Sequence, residues 1–203
     1  MKLYDTEHAP NPRRVRIFLA EKGITVPRQN VDLIGREHFS DDFAAINPFR
    51  QVPVLELDDG TRLTESAAIC RYFEELHPEP PLFGTTPLER AQVEMWSRRI
   101  DFLLFTAIAQ AFRHASRGMA VLENLQIAEW AEVNRARALS FLRTLEGELH
   151  GEPFLVGGRF SMADISGLVA LDFLRAARLQ VPEELTRVRQ WHAGLAARPS
   201  AVP

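Results

Sequence analysis

The chain has 203 residues, 24 basic against 27 acidic, and a formal charge of −3, so its composition offers no electrostatic case for nucleic acid or anionic membrane. That length buries a proper core, as one large domain or two small ones. The single cysteine, Cys70, excludes an internal disulfide, no apolar run approaches membrane-spanning length, and the six histidines show no spacing that gathers ligands on one metal. A soluble cytoplasmic protein is expected, with no metal, no nucleic-acid partner and no membrane.

Residues 2 to 5 read as a strand, Pro12 to Lys22 as a helix and Val26 to Asp32 as a second strand. In the helix Val15, Phe18 and Leu19 share one face, and Gly23 suits a left-handed stop. Arg13, Arg14 and Arg16 read most simply as its solvated face. Phe39 to Ile46 is a short helix. Then Gln51 to Glu56, a strand entered through Pro53, and Thr61 to Thr64 flank an Asp-Gly turn as a hairpin, and a helix follows with Ile69, Tyr72, Phe73 and Leu76 at i, i+3, i+4 and i+7. The order β-α-β-α-β-β-α predicts an α/β half with a four-stranded mixed sheet over residues 1–77.

Residues 78–86 are proline-rich and read as a linker. From 87 to 203 the signals are helical, with Phe154 to Val156 as the one possible strand. Thr86-Pro-Leu-Glu89 supplies a cap, a proline at the first helical position and an acid at the third, so a long helix starts there. A second spans roughly Asn124 to Glu148, with Ile127, Ala131, Ala138, Leu142 and Leu145 inward. Ser161-Met-Ala-Asp164 repeats the capping logic, with Phe160 and Ile165 placed to staple across it.

Chemistry concentrates around Pro53 and Ser66. A proline between Val52 and Val54 belongs at a strand start or in a cis turn before it, which would leave the backbone N–H and C=O of Val52 for an added extended peptide. The helix start at Ser66, with its unpaired amides and hydroxyl, suits a carboxylate, and Glu65 beside it suits an ammonium group. Together they describe an α-amino acid terminus. Each residue alone is equally a turn former or a helix cap.

These pairs, with Asn47-Pro48-Phe49 before them, resemble the glutathione-binding half of the glutathione transferases. The resemblance extends over nearly the whole chain, through Leu3-Tyr4, Pro10-Asn11 and Arg13 to Gly23, then Glu89 to Trp96 and Phe160 to Ile165. It implies a thioredoxin-like α/β N-terminal domain followed by an all-α C-terminal domain, with glutathione as co-substrate. Val52 and Pro53 would receive the cysteinyl backbone, Glu65 and Ser66 the γ-glutamyl end, and His38 and Arg50 the glycyl carboxylate. It further implies a homodimer in which Asp101 reaches the neighbour's γ-glutamyl ammonium group.

One position departs from the family pattern. Where many relatives have serine or cysteine before the proline, this chain has Ala9, which removes a covalent thiol mechanism. Cys70 reads as a small apolar core residue. Asn11 is then the leading candidate to hold the glutathione sulfur, Thr6 and His8 being the others. Asn11 before Pro12 is also a helix cap, and His8 also an exposed loop residue. The electrophile pocket would involve residues 7–10 and Phe102, Phe105, Ile108 and Phe112. Two function classes follow: a transferase joining the glutathione thiolate to a small electrophile or exchanging it with a disulfide, or a non-catalytic glutathione-binding or protein-interaction module on the same fold.

Overall fold

The computed structural model describes residues 1–202, which divide into two compact units, one formed by Met1–Leu82 with the segment from Pro199 onward, the other by Phe83–Arg198. The first is built on a mixed sheet of β1 (Lys2–Asp5), β2 (Arg28–Asn30), β3 (Val54–Glu56) and β4 (Arg62–Leu63) in the order β2-β1-β3-β4. β1 runs parallel to β2, while β3 is antiparallel to both β1 and β4. Its helices are α1 (Pro10–Lys22), α2 (Asp41–Ile46) and α3 (Ser66–Leu76).

Side-chain alternation makes the sheet two-faced. Tyr4 and Val54, paired across β1 and β3, join Val31 and Phe43 in a buried cluster on the α2 side. Leu3 and Leu55, the next pair, are fully buried and point the other way, where α1 and α3 pack. α1 stops at Gly23, whose left-handed φ of 66° lets the cap amides return to Ala20 and Leu19.

Several element boundaries differ from the sequence reading. α1 begins at Pro10, two residues earlier than expected, with Ala9 as the cap residue. β2 has three exposed residues, not seven, because an edge strand gains nothing from running past the end of β1. A 3₁₀ turn, Glu37–Phe39, precedes α2, and Ser40 caps that helix by accepting from the Phe43 amide at 3.1 Å. Leu76, placed inward by periodicity, is 50% exposed at the last helical position. Residues after α3 are tied back to the first unit: Lys22 Nζ donates to the carbonyls of His77 at 2.7 Å and Pro80 at 2.6 Å and pairs with Glu74 at 2.5 Å. The 3₁₀ turn Pro199–Ala201 packs on α1, where Arg13 Nη2 donates to the Ala201 carbonyl.

The second unit is helical. α4 (Pro87–Arg99) opens with the reciprocal Thr86 and Glu89 capping box and runs without a break through a π-helical stretch, Ile100–Phe105, into α5 (Thr106–Ala115). α6 (Ala128–Glu148) starts four residues later than expected. Ile127 precedes it and is 42% exposed, while Ala131, Asn134, Ala138, Phe141, Leu142 and Leu145 turn inward. Phe154 to Val156 forms no strand, only an isolated bridge from Val156 to Arg159. α7 (Met162–Phe173) and α8 (Thr186–Ala196) complete the unit. α7 is buried from Met162 through Leu171, and the ring of Trp191 on α8 sits where a side chain at Gly167 would be. No helix among the described residues is long and apolar enough to cross a membrane.

Candidate functional site

Strand pairing brings the candidate segments to one end of the sheet. Tyr4 pairs with Val54, so the exit of β1 toward Thr6 lies beside the entry of β3 at Val52 and Pro53. Leu55 pairs with Leu63, so the exit of β4 toward Glu65 and Ser66 opens on the same end. β2 leaves there too, because Asp5 pairs with Asn30, and carries the chain to His38. Segments 6–11, 52–53, 65–66 and 38 thus share one edge while remaining far apart in sequence.

The Val52–Pro53 bond is cis, and Pro53 is buried at the start of β3. Val52 is half-buried, and its amide and carbonyl have no backbone partner among the described residues. Glu65 is exposed and caps α3 with a positive φ of 65°, but its side chain makes no capping bond. The first-turn amides of α3 are therefore left without a side-chain partner. Ser66, first residue of α3, is 5% exposed, and its Oγ accepts from Arg14 Nη1 at 3.1 Å.

The turn between β1 and α1 is staked from within. Arg16 Nη1 donates to Asp5 Oδ1 at 2.6 Å and to the Thr6 carbonyl at 2.9 Å, and Nη2 donates to the Glu7 carbonyl at 3.0 Å. Asp5 also accepts from the Thr6 amide at 2.6 Å. Arg14 and Arg16 are thus buried, at 4% and 8% exposure, instead of lying on a solvated face. Each emerges at a helix position whose neighbour carries a polar partner, Ser66 for one and Asp5 for the other. Sequence spacing alone offers no signal for such pairings across the fold.

Asn11 is the second residue of α1, not its cap, so the capping role falls away. Its side chain is half-buried and makes no hydrogen bond among the described residues. Thr6 is buried at 8% exposure, and His8 is exposed. Cys70 is fully buried on α3, and burial pushes its thiol pKa up, so it presents no thiolate.

His38 stacks on Phe39 with ring centroids 4.1 Å apart. Partial burial, and then the positive charge of Arg50, hold its pKa below the usual histidine value. Arg50 is anchored by donating to the carbonyls of Phe39 and Ser40 and by facing Asp41 at 3.6 Å. Near neutral pH the cation of this pair is Arg50.

The helical residues expected around an electrophile divide into two groups. Phe105 and Phe112 pack on Phe173, with centroids 5.4 and 5.7 Å away, and Ile108 is core. Phe102 is 62% exposed and, with Trp96, Leu103, Trp130 and Phe141, lines a groove of about 840 Å³ within the helical unit. Asp101 lies in the π-helical stretch, partly exposed, and its carbonyl accepts from Thr106 Oγ1 at 2.8 Å. Among the described residues no group of three histidine, cysteine or acidic side chains is placed to hold a metal ion.

Comparison with known proteins identifies the family that has this fold. Residues 8–76 match the model of the glutathione S-transferase N-terminal domain, and residues 128–194 that of the C-terminal domain. Glutathione S-transferase 2 of Saccharomyces cerevisiae is 39% identical over 203 aligned residues, covering 98% of this chain and 87% of the yeast protein. Maleylacetoacetate isomerase of Pseudomonas aeruginosa is 43% identical over 94 residues, 45% of this chain and 44% of its own. Among solved structures, a glutathione S-transferase domain-containing protein of Marinobacter aquaeolei aligns with a TM-score of 0.93 at 42% identity over the full length of both chains. Yeast Gtt2 aligns with a TM-score of 0.92 at 39% identity, covering 98% of each. A sheet end that gathers an open Val52 backbone and an uncapped Ser66 helix start, both within the matched segment and on a fold shared along its length, means that the chain belongs to the glutathione S-transferase family.

Proposed function

We propose that the chain binds reduced glutathione across the sheet end of its first unit and transfers the thiolate to a small electrophile. The cysteinyl backbone pairs with Val52, and Pro53 shapes the turn that presents it. The γ-glutamyl carboxylate takes the amides and hydroxyl at Ser66, and Glu65 takes the ammonium group. Arg50, with His38 beside it, faces the glycyl carboxylate. Asn11 donates to the sulfur, with Thr6 and His8 nearest in the same turn. No protein thiol takes part, because Ala9 has none and Cys70 is buried. The carrying observation is the strand register that puts the Val52 backbone and the start of α3 at one edge. We place this chemistry in the cytoplasm, where glutathione keeps thiols reduced.

The active form in this reading is a homodimer, with Asp101 reaching the neighbour's γ-glutamyl ammonium group. Exposed apolar side chains on the helical unit support it: Phe102 is 62%, Leu103 54% and Val133 43% exposed.

Calorimetry tests the binding mode. Glutathione binds the wild type, and Ser66→Ala weakens binding by about tenfold or more, since a hydrogen bond to a charged group contributes about 1.5–3 kcal/mol. A folded wild type that binds no glutathione contradicts the reading.

A further inference from the structure

One buried side chain grips two successive peptide planes between β1 and α1. Arg16 donates through Nη1 to the Thr6 carbonyl at 2.9 Å and through Nη2 to the Glu7 carbonyl at 3.0 Å. Its charge is answered by Asp5, whose Oδ1 accepts from Nη1 at 2.6 Å. The Thr6–Glu7 and Glu7–His8 peptide bonds are both trans. In a trans peptide the N–H points opposite to the C=O, so two carbonyls turned inward onto one guanidinium send the amides of Glu7 and His8 to the other side. Neither amide donates to a protein acceptor among the described residues, and both residues are exposed. Thr6 before them is 8% exposed, and its hydroxyl likewise makes no hydrogen bond among the described residues. Successive free amides on one side of a turn form a concavity for an anion.

We propose that the main-chain amides of Glu7 and His8 donate to the glutathione thiolate beside Asn11, and that Arg16 is the positioning residue that turns them toward it. The inference rests on the reading that the glutathione sulfur lies at this turn. Ala9 offers no side-chain donor, and main-chain donors fixed before the charge forms take that part. Arg16 contributes geometry: its planar fork spans a carboxylate and two carbonyls at once, which an ammonium group does not.

Amide resonances of the full chain, followed against pH in complexes with glutathione and with S-methylglutathione, decide this. With glutathione the Glu7 and His8 amide protons move downfield as the thiolate forms, at the midpoint of its ultraviolet absorbance. With S-methylglutathione, which has no thiol, neither follows that midpoint, and the titration of the His8 ring itself is seen apart. Arg16→Lys keeps the charge and raises the bound thiol pKa by about one unit, while affinity for S-methylglutathione stays within about twofold. If that variant does not fold, the wild-type amide shifts decide alone. Amides that ignore the thiolate overturn the proposal and leave glutathione binding standing. So does a folded Arg16→Lys whose bound thiol titrates as in the wild type, or one that only weakens both ligands equally. A wild type that binds neither ligand overturns the glutathione reading itself.

Discussion

Asn11 enters α1 at its second position, so its amide group is not spent on closing the helix end. Asparagine is a poorer helix residue than alanine at about half a kcal/mol, and Asn11→Ala is therefore expected to melt no lower than the wild type. Its expected effect is on chemistry: hydrogen bonding to a thiolate favours the charged form, so its loss lowers turnover near neutral pH with little change in glutathione affinity. Cys70→Ser, in a folded protein, leaves turnover nearly intact because the buried thiol never meets substrate. Steady-state rates and melting curves of both variants check this pair, and loss of turnover in folded Cys70→Ser contradicts it. At this scale the sequence made the candidates legible where a motif is local, as at Val52-Pro53 and Glu65-Ser66. It could not reveal Arg14 and Arg16, whose partners lie 52 and 11 positions away and meet them only through helix and sheet packing.

Elements were legible where their signals sit within one turn. Thr86 to Glu89 formed the expected capping box, and Gly23 the expected left-handed stop. The π-helical stretch at Ile100–Phe105 was not, because it depends on packing around a long helix and not on a residue type. At the start of α7, Asp164 does more than the expected cap. Its Oδ2 accepts from the amide of Ser161 at 2.9 Å and its hydroxyl at 2.8 Å, and Oδ1 from the Leu155 amide at 3.0 Å and Trp191 Nε1 at 3.1 Å. Burial outweighs these donors and raises the carboxyl pKa from 3.8 to about 6. A carboxyl raised on folding stabilises fully below its unfolded pKa, and that contribution is lost as pH rises through the folded value. The stability difference between wild type and Asp164→Asn should therefore shrink between about pH 4 and pH 6, by about 3 kcal/mol at most. Denaturant melts at several pH values test this, and a constant difference contradicts it.

The whole molecule follows from joining two units whose sequence signatures differ, alternating and turn-rich up to residue 77 and helical beyond the prolines. Boundaries were less legible than unit types, because Lys22 ties the proline segment to the first unit and the chain returns to α1 at Pro199–Ala201, contacts that no local pattern encodes. A dimer of the 23.0 kDa chain is expected by light scattering at micromolar concentration, and a monomer mass contradicts the proposed Asp101 contact across subunits. The central claim is that this fold binds glutathione and lowers its thiol pKa without a protein thiol. Ultraviolet titration of the thiolate in the bound complex tests it most directly. The bound thiol should titrate at least about one unit below the ordinary value of about 8.5, equally in wild type and Cys70→Ser, and higher in Asn11→Ala. A bound thiol that titrates at the value of free glutathione contradicts the account.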